Sequence, residues 1–228
     1  MVSKLPLASL AGTPRTTHAT VTENLRKAIL LGQIPAGTRL LQSELAEVLN
    51  VSVTPIREAL RELSTQGLVD LDAFRGAVVH TPSLLELEEI YEMRSLLIPL
   101  NIRRAISRIT DQELKQAEIL LLQIEAEAEQ ARWVDLNRQF HNLLDDIAQT
   151  HQIRQVLQRL SDLSAIYVNL SFSIIPLQKE KSEQEHRQIY QAYQDRDAEA
   201  ATQLTLLHLD GTLEAARKSI SNFRLEPI

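Results

Sequence analysis

The chain has 228 residues, no cysteine and a formal net charge of -6 at pH 7. This length suits two modest domains, and the lack of cysteine excludes both a disulfide framework and a thiolate metal site. No apolar run reaches the roughly 18 to 20 residues of a membrane-spanning helix, and the first residues lack a secretory apolar region, so we expect a cytoplasmic protein.

The charges are distributed unevenly along the chain. Residues 1–80 contain 8 Lys or Arg and 7 Asp or Glu, whereas the remaining residues contain 16 and 23. A mildly basic front part still allows phosphate contact through a local patch. The abundant Leu, Ala, Glu, Gln and Arg, with only 4% aromatic residues, favour a mainly α fold. Residues 1–16 contain Pro, Thr and Gly without periodicity and are expected to form a mobile arm.

Two helices are predicted after this arm. Thr20 and Glu23 form a capping-box pattern at the start of the first helix, whose apolar stripe ends at Gly32. Ser43 is expected to cap a short second helix that ends at Asn50. The segment IPAGTRL is expected to turn the chain between them.

A third helix and a hairpin follow. Ser52 is expected to cap this helix, Pro55 is tolerated in its first turn, and Gly67 closes it. The runs LVDLDA and GAVVHT, on either side of a turn that contains Arg75 and Gly76, predict two short strands. Three helices followed by a hairpin are typical of a winged helix-turn-helix domain.

The winged helix-turn-helix is assigned to residues 17–80, and residues 81–228 are predicted to be entirely helical. Capping-box patterns divide this second region at Ser83 with Glu86, Thr110 with Glu113, and Ser182 with Glu185. About six helices are predicted, over residues 83–107, 111–130, 132–149, 151–174, 183–195 and 197–219.

The stretch AILLGQIPAGTRLLQSELAEVLNVSVTPIREALRELSTQGLVDL, with the Arg75–Gly76 turn after it, resembles the winged helix of GntR-type transcription regulators. The pattern that follows is similar to the FadR-like subfamily with its helical FCD effector domain, and the six-helix length resembles the VanR-like branch. The resemblance covers about residues 20 to 219. It implies an antiparallel helical bundle over residues 81–228 that binds an effector and dimerises.

The candidate DNA-binding residues lie at the start of the third helix. A helix-turn-helix places the N-terminal residues of its second helix against base edges in the major groove. Those residues are Ser52, Val53, Thr54, Pro55 and Arg57. The resemblance adds Ser43, at the start of the second helix, and the wing residues Arg75 and Gly76. Relatives usually carry arginine where this chain has Val53, so we predict an operator that differs from the family consensus at that position.

Three histidines of the acidic region are candidate metal ligands. His141 follows Asn137 by one helical turn, a spacing that suits two ligands of one ion, and His186 and His208 could converge on them from two other helices. Each histidine taken alone is more simply a hydrogen-bonded core residue. FCD domains that bind metal use an Asp or Asn, a His one turn later and two further histidines, and the resemblance implies that these four residues are that set.

The resemblance also implies a small carboxylate effector at this metal. Three imidazoles and one amide oxygen suit Zn, Ni or a similar divalent transition metal better than Ca or Mg. Arg94 is the candidate that neutralises the carboxylate, with an ion pair to neighbouring glutamates as its alternative. Tyr190 is a candidate for the same cavity or else a core residue, and Asp145 and Asp146 are expected on a solvated or intersubunit face.

The function predicted from these patterns is a metabolite-responsive DNA-binding transcription regulator, usually a repressor in this family. We expect it to bind a near-palindromic operator as a homodimer and to couple effector and DNA through the short linker near residues 81–83. Two alternatives remain open: a DNA-binding dimer whose histidines are purely structural, and a metal-dependent hydrolase. The hydrolase lacks a carboxylate base in an HExxH-like arrangement.

Overall fold

A computed structural model describes residue 7 and residues 18–72, 76–81, 83–172 and 177–223. The chain divides into two compact units, residues 1–82 and 83–228. The predicted arm over residues 1–16 lies, except for Leu7, outside the described residues. No helix in the described part of the chain is long and apolar enough to cross a membrane.

The first unit is a winged helix-turn-helix, as predicted. Its elements are α1 (His18–Leu30), β1 (Arg39–Leu40), α2 (Gln42–Leu49), α3 (Val53–Thr65), β2 (Val69–Asp72) and β3 (Gly76–Val79). The three strands form an antiparallel sheet in the order β1-β3-β2, in which Leu40 pairs with Ala77 and Leu71 pairs with Ala77 on the other side. Strand β1 was not predicted, because its two residues give no local alternation.

Several helix ends of this unit differ from the predicted caps. Helix α1 begins at His18, so Thr20 lies inside it and the predicted capping box is wrong. Helix α2 has Leu41 as its N-cap, so the prediction that Ser43 caps it is also wrong. Ser52 occupies the N-cap position of α3, but its side chain makes no capping hydrogen bond. Asn50 ends α2, as predicted; it adopts the left-handed conformation, with φ 54°, that commonly terminates a helix.

An apolar core fixes the position of α3. Ile56, Leu60 and Leu63 lie on one face of this helix and are at most 1% exposed. They pack in the unit that also buries Leu25 of α1 and Leu49 of α2. The opposite face and the N-terminal turn of α3 therefore remain at the surface.

The second unit consists of helices in the described residues. They are α4 (Leu84–Ile106), α5 (Asp111–Ala126), α6 (Gln130–Ile147), α7 (His151–Phe172), α8 (Leu177–Gln194) and α9 (Ala198–Phe223). Helix α4 packs against α6, α7 and α9, and α8 packs against α5 and α9. The mainly α fold class and the winged-helix-plus-bundle architecture are confirmed.

The predicted caps of this unit have different outcomes. Thr110 and Glu113 form a complete capping box, and the Ser83 hydroxyl accepts from the Glu86 amide. Helix α8 begins at Leu177, so Ser182 lies inside it and cannot be its cap. The correction moves His186 from the first turn of its helix to the third.

Candidate DNA-binding tip and buried histidine site

The N-terminal turn of α3 presents a polar tip at the surface. Ser52, Val53, Thr54 and Arg57 are exposed, and Pro55 is half-buried. Because the apolar face of the same helix is buried, these side chains point toward solvent. Ser43, in the first turn of α2, is also exposed. The tip is thus accessible in the way that contact with base edges requires.

Two arginines extend this tip along α3. Arg57 and Arg61 are one helical turn apart and both are exposed. Neither forms a salt bridge with a carboxylate in the described part of the chain, so both guanidinium groups are available to an anion. Arg61 was not among the predicted contact residues, although its spacing of four residues from Arg57 places both on one face of α3.

The wing supplies one further predicted residue. Gly76 begins β3 with φ +76°, a conformation that favours glycine, and a Cβ placed there would meet no atom within 4 Å. Its backbone is therefore open to a close approach from a partner. Arg75, the other predicted wing residue, lies outside the described residues.

Three histidines converge in the helical unit. His141 of α6, His186 of α8 and His208 of α9 have ligand atoms that all lie within 4.8 Å of one another. His186 is fully buried and His208 is 6% exposed, whereas His141 is half-buried. The Nε2 atoms of His141 and His186 are 3.2 Å apart. The spacing argument from the sequence predicted this convergence, and the packing of α8 against α9 produces it.

The donor set fits a divalent transition metal. Two imidazole nitrogens that bind one ion at about 2.1 Å lie roughly 3.0 to 3.4 Å apart at tetrahedral or octahedral angles. A hydrogen bond between the two rings would give a similar distance. The side-chain oxygen of Asn137 favours the metal, because it is buried one helical turn before His141 and accepts no hydrogen bond within the described structure. A buried oxygen without a hydrogen-bond donor, in the same cavity lining as His141 and His208, is a candidate fourth metal ligand.

Glu185 orients His208. Its Oε2 lies 2.7 Å from Nδ1 of His208, which leaves Nε2 of that ring available for a ligand. A carboxylate behind a ligating histidine fixes the ring and raises its basicity. Glu185 was predicted to form a capping box with Ser182, but its carboxylate contacts His208 instead. No local pattern in the sequence indicates this contact, because Glu185 and His208 are 23 residues apart.

Two of the imidazoles are neutral at pH 7. Burial lowers the pKa of His141 well below its usual value, and His208 and Arg94 lower it further. Burial likewise lowers the pKa of His186, with smaller contributions from His208 and His141. Neutral imidazole is the form that binds a metal.

A cavity of about 50 Å³ opens beside the cluster. Its lining includes Arg94, Trp133, Asn137, His141 and His208. Nη1 of Arg94 donates to the Ser164 hydroxyl at 3.0 Å, but no carboxylate lies within salt-bridge distance of this guanidinium in the described residues. The expected alternative, an ion pair with neighbouring glutamates, is therefore wrong for these residues.

Arg138 lines the same cavity and shows the contrast. Its guanidinium lies 3.3 Å from Asp135 and 3.6 Å from Asp162. Two carboxylates thus neutralise Arg138, whereas Arg94 forms no ion pair in the described residues and lies over the Tyr91 ring, 5.3 Å from its centroid.

A second cavity, of about 20 Å³, shares Arg94, His141, His208 and Leu209 with the first. Asp145 and Tyr193 also line it. Asp145 was expected on a solvated or intersubunit face, and this is wrong, because one turn after His141 it points into the unit. Its Oδ1 accepts from Nδ2 of the buried Asn101 at 3.0 Å, and burial raises its pKa to about 6.

Tyr190 lies outside the linings of both cavities. It is 9% exposed, and burial and Glu118 of α5 raise its pKa. Tyr193, three residues later, takes the place in the lining that was expected for Tyr190. A single turn of α8 separates these two directions, which the sequence could not distinguish because both tyrosines follow His186 closely.

Comparison with known families decides what this architecture is. Residues 17–79 match the family of bacterial regulatory proteins of the gntR type, and residues 89–211 match the FCD domain. The chain belongs to the GntR family and carries an FCD domain. Both matches fall where the winged helix and the helical unit lie.

The relatives of this GntR protein are transcription regulators. It is 30% identical to an uncharacterized HTH-type transcriptional regulator, YdhC, of Bacillus subtilis, over 83% of this chain and 86% of that protein. It is 28% identical to the HTH-type transcriptional repressor RspR of Escherichia coli, over 85% and 86%. These matches support a transcription regulator and not an enzyme.

Solved structures share the fold. The McbR/YncC structure of E. coli has a TM-score of 0.81 at 19% identity and covers 89% of this chain and 98% of that one. A GntR-family regulator of Pseudomonas syringae pv. tomato has a TM-score of 0.56 at 26% identity and covers 96% and 92%. The GntR protein is therefore a DNA-binding transcription regulator of the GntR/FCD type.

Proposed function

We propose that this GntR protein is a repressor that binds a near-palindromic operator as a homodimer and is released by a small carboxylate held at a metal in the FCD domain. The convergence of His141, His186 and His208 beside Arg94, which forms no ion pair in the described residues, carries this proposal. The name of the E. coli relative RspR, a transcriptional repressor, supports the sign of regulation.

The DNA contacts are proposed for the exposed tip of α3. Arg57 suits a guanine edge or a phosphate, and the hydroxyls of Ser52 and Thr54 suit phosphate oxygens. Pro55 sets the first turn, Val53 and Ser43 lie at the same surface, and Arg75 and Gly76 belong to the wing that would enter the minor groove. Tight binding would then come from two such tips on adjacent half-sites.

An apolar stripe on α4 supports the homodimer. Met93, Leu96 and Leu100 follow helical spacing and are 43%, 73% and 47% exposed. Large apolar side chains in a continuous row on one helix are typical of an interface. A two-fold dimer would also match a palindromic operator.

The metal ligands are proposed to be Asn137, His141, His186 and His208, with Zn or Ni as the most suitable ions. The orphaned oxygen of Asn137 and the hydrogen bond from His208 to Glu185 support this set. When bound, such an ion supplies a Lewis-acid centre for a carboxylate. Arg94 would neutralise the second oxygen of that carboxylate, and Tyr190 would act only indirectly, from behind the cavity.

Regulation would follow from linked equilibria. A carboxylate that bridges α4 through Arg94 and α6, α8 and α9 through the histidines favours one packing of these helices. Effector and operator must then change each other's affinity by the same factor. The short linker near residues 81–83 would transmit the change to the winged helix.

The test measures operator affinity with Zn²⁺-loaded full-length protein and its own promoter DNA, with and without acetate, lactate or succinate. At least one acid is expected to weaken operator binding by about 5-fold or more, in the usual range of coupling energies. His186→Ala and His208→Ala should abolish this response and leave DNA binding largely intact. His151→Ala is the matched control, because His151 is exposed at the start of α7 and away from the cluster.

Elemental analysis of the protein as purified, before Zn²⁺ is added, separates the remaining alternative. Absence of metal, together with a melting curve unchanged by a chelator, would favour a DNA-binding dimer whose histidines are structural. An acid response that survives both histidine substitutions would overturn the link between metal and effector.

A further inference from the structure

The second cavity contains two opposite charges that do not pair with each other. Arg94 has no carboxylate within salt-bridge distance in the described residues, and Asp145 has no arginine or lysine within that distance. The hydrogen bond that Asp145 receives from a side chain comes from the neutral amide of Asn101. Both side chains are half-buried, and Arg94 also lies over the Tyr91 ring. Because neither forms an ion pair in the described residues, each can bind an opposite charge on a ligand that enters the cavity.

The rest of the lining resembles a site for a short carbon chain. Ile98, Ile102, Leu144 and Ile189 contribute apolar surface, and Tyr193 and Thr205 contribute hydroxyls. The two cavities meet at Arg94, His141 and His208, and measure about 50 and 20 Å³. Since one water needs about 10 to 15 Å³ of such volume, the two cavities together hold about five to seven water-sized groups. An occupant with about six non-hydrogen atoms would fill them.

We propose that the effector of this GntR protein is a zwitterion, a small α-amino acid whose carboxylate meets Arg94 and whose ammonium group meets Asp145. This inference rests on the proposed carboxylate site and adds the second charge. The ammonium group distinguishes this ligand class from a simple or hydroxylated acid. It also assigns Asp145 a role in specificity that a carboxylate alone would not require, because an acid without an amine leaves Asp145 uncompensated.

The experiment compares three ligands that differ at one substituent. L-alanine, L-lactate and propionate carry an ammonium group, a hydroxyl group and a hydrogen on the same carbon. Trp133 is the single tryptophan of the chain and lines the first cavity, so its fluorescence reports binding to Zn²⁺-loaded full-length protein. L-alanine is expected to bind at least about 10-fold more tightly than the other two, in line with the value of a charge-assisted hydrogen bond.

A substitution at Asp145 sharpens the comparison. Asp145→Asn should reduce the affinity for L-alanine to that for L-lactate and leave the affinities for the two acids unchanged. Asp146→Asn is the matched control, because Asp146 pairs with Arg154 and does not line the cavity. It should retain the preference for L-alanine.

The outcomes separate this inference from the function on which it rests. Equal affinities of the wild-type protein for the three ligands would overturn the zwitterion and leave the carboxylate site standing. A retained L-alanine preference in Asp145→Asn would overturn the role of Asp145. No binding of any ligand would overturn the proposed carboxylate site itself, and the wild-type series gives this answer even if the variant fails to fold.

A second inference concerns the tip of α3. Val53 is the first residue of this helix and is 44% exposed, between the exposed hydroxyls of Ser52 and Thr54. An isolated apolar side chain at a surface needs no explanation in general. Here it stands where the helix meets base edges, and in the major groove the apolar group among those edges is the C5-methyl of thymine.

We infer that Val53 reads one thymine methyl in each half-site of the operator. The test uses an operator selected in vitro with full-length protein, in which each thymine is replaced in turn by deoxyuridine. One symmetric pair of positions should lose about fourfold in affinity per half-site, the value of one buried methyl group.

Variants assign that loss to a residue. Val53→Ala should abolish the difference between thymine and deoxyuridine at these positions, whereas Thr54→Ala should weaken binding without abolishing it. If Val53→Ala kept the full difference, or if no position responded to loss of the methyl, the inference would be overturned.

Discussion

The two units of this GntR protein place their functional residues in opposite ways. The winged helix exposes Arg57 on an apolar core, whereas the helical unit buries His186 and His208 beside the half-buried His141. Of the buried polar residues in the described chain, all except Thr22 lie in the helical unit. A surface site can change with little effect on stability, but a site inside a core must fold and function with the same side chains. The following five experiments test this contrast, from the largest expected effect to the smallest.

Leu60→Ala should have the largest effect. Leu60 is 1% exposed and anchors α3, so the free energy of unfolding of the winged helix should fall by about 2–5 kcal/mol. Urea denaturation followed by circular dichroism measures it. Val53→Ala, on the exposed tip of the same helix, should change stability by less than about 0.5 kcal/mol. Equal losses in both variants would contradict the division of α3 into a core face and a free tip.

Asp145→Asn should stabilise the helical unit near neutral pH. The pKa of Asp145 is raised from 3.8 to about 6 in the folded state, so the folded form holds its proton more tightly than the unfolded form. The stability that this tighter proton binding adds to the folded state is fully present below pH 4 and is lost as the pH rises through about 6. The variant should therefore exceed the wild type by up to about 3 kcal/mol at pH 7.5 and by little at pH 4.

Urea denaturation at several pH values measures this difference. Asp146→Asn serves as the control, because Asp146 is paired with Arg154 at the surface. A difference between Asp145→Asn and wild type that does not vary with pH would show that the carboxyl group bears no burial cost.

Glu185→Ala should weaken metal binding by about 10- to 100-fold, because it removes the group that holds the His208 ring. Competition with a chromophoric chelator for Zn²⁺ measures this loss. Glu185→Gln keeps an acceptor for Nδ1 and should lose less. Unchanged affinity in Glu185→Ala would exclude His208 as a ligand oriented by this carboxylate.

Arg57→Ala should weaken operator binding by about 1–3 kcal/mol and leave the melting temperature unchanged. If Arg57 contacts a phosphate, the slope of log affinity against log salt should also fall by about one. Fluorescence anisotropy over a series of salt concentrations gives both values. Arg103→Ala, an exposed arginine of α4, is the control and should leave affinity and slope as in the wild type.

Thr110→Ala should have the smallest effect, a loss of about 1 kcal/mol of stability from the capping box of α5. DNA affinity and metal affinity should not change. Thr65→Ala removes a hydroxyl that donates to the Glu62 carbonyl and satisfies no orphaned amide, so it should cost less. A larger loss from Thr65→Ala would contradict the assignment of the cap.

Local signals predicted the fold well where they acted alone. The Thr110–Glu113 box defined the start of α5, and the left-handed Asn50 defined the end of α2. The start of α8 was predicted too late. Lys179 with Glu183 and Lys181 with Glu185 form ion pairs four residues apart, and these favour helix before the capping pattern at Ser182. A capping pattern therefore does not mark a helix start when the residues before it are already helical.

The sequence predicted a candidate site better when its residues lie on one helix than when they depend on how several helices pack. The tip of α3 follows from one helix and its buried face, and Ser52, Val53, Thr54 and Arg57 are exposed there. The direction of Asp145, Tyr193 and Glu185 depends on which neighbouring helix each one meets. The packing of α6 and α8 against their neighbours decides whether a side chain on a given turn points toward solvent or into the unit.

The sequence by itself determined that this chain is a winged helix joined to a helical bundle, because periodicity, caps and turn residues act within a few positions. It also identified the four residues that we propose as metal ligands. Only the tertiary structure decided that ligand atoms of the three histidines lie within 4.8 Å of one another, that Arg94 forms no ion pair in the described residues, and that Arg94 and Asp145 line one cavity. Those facts depend on contacts between residues far apart in the chain, and no local pattern records them.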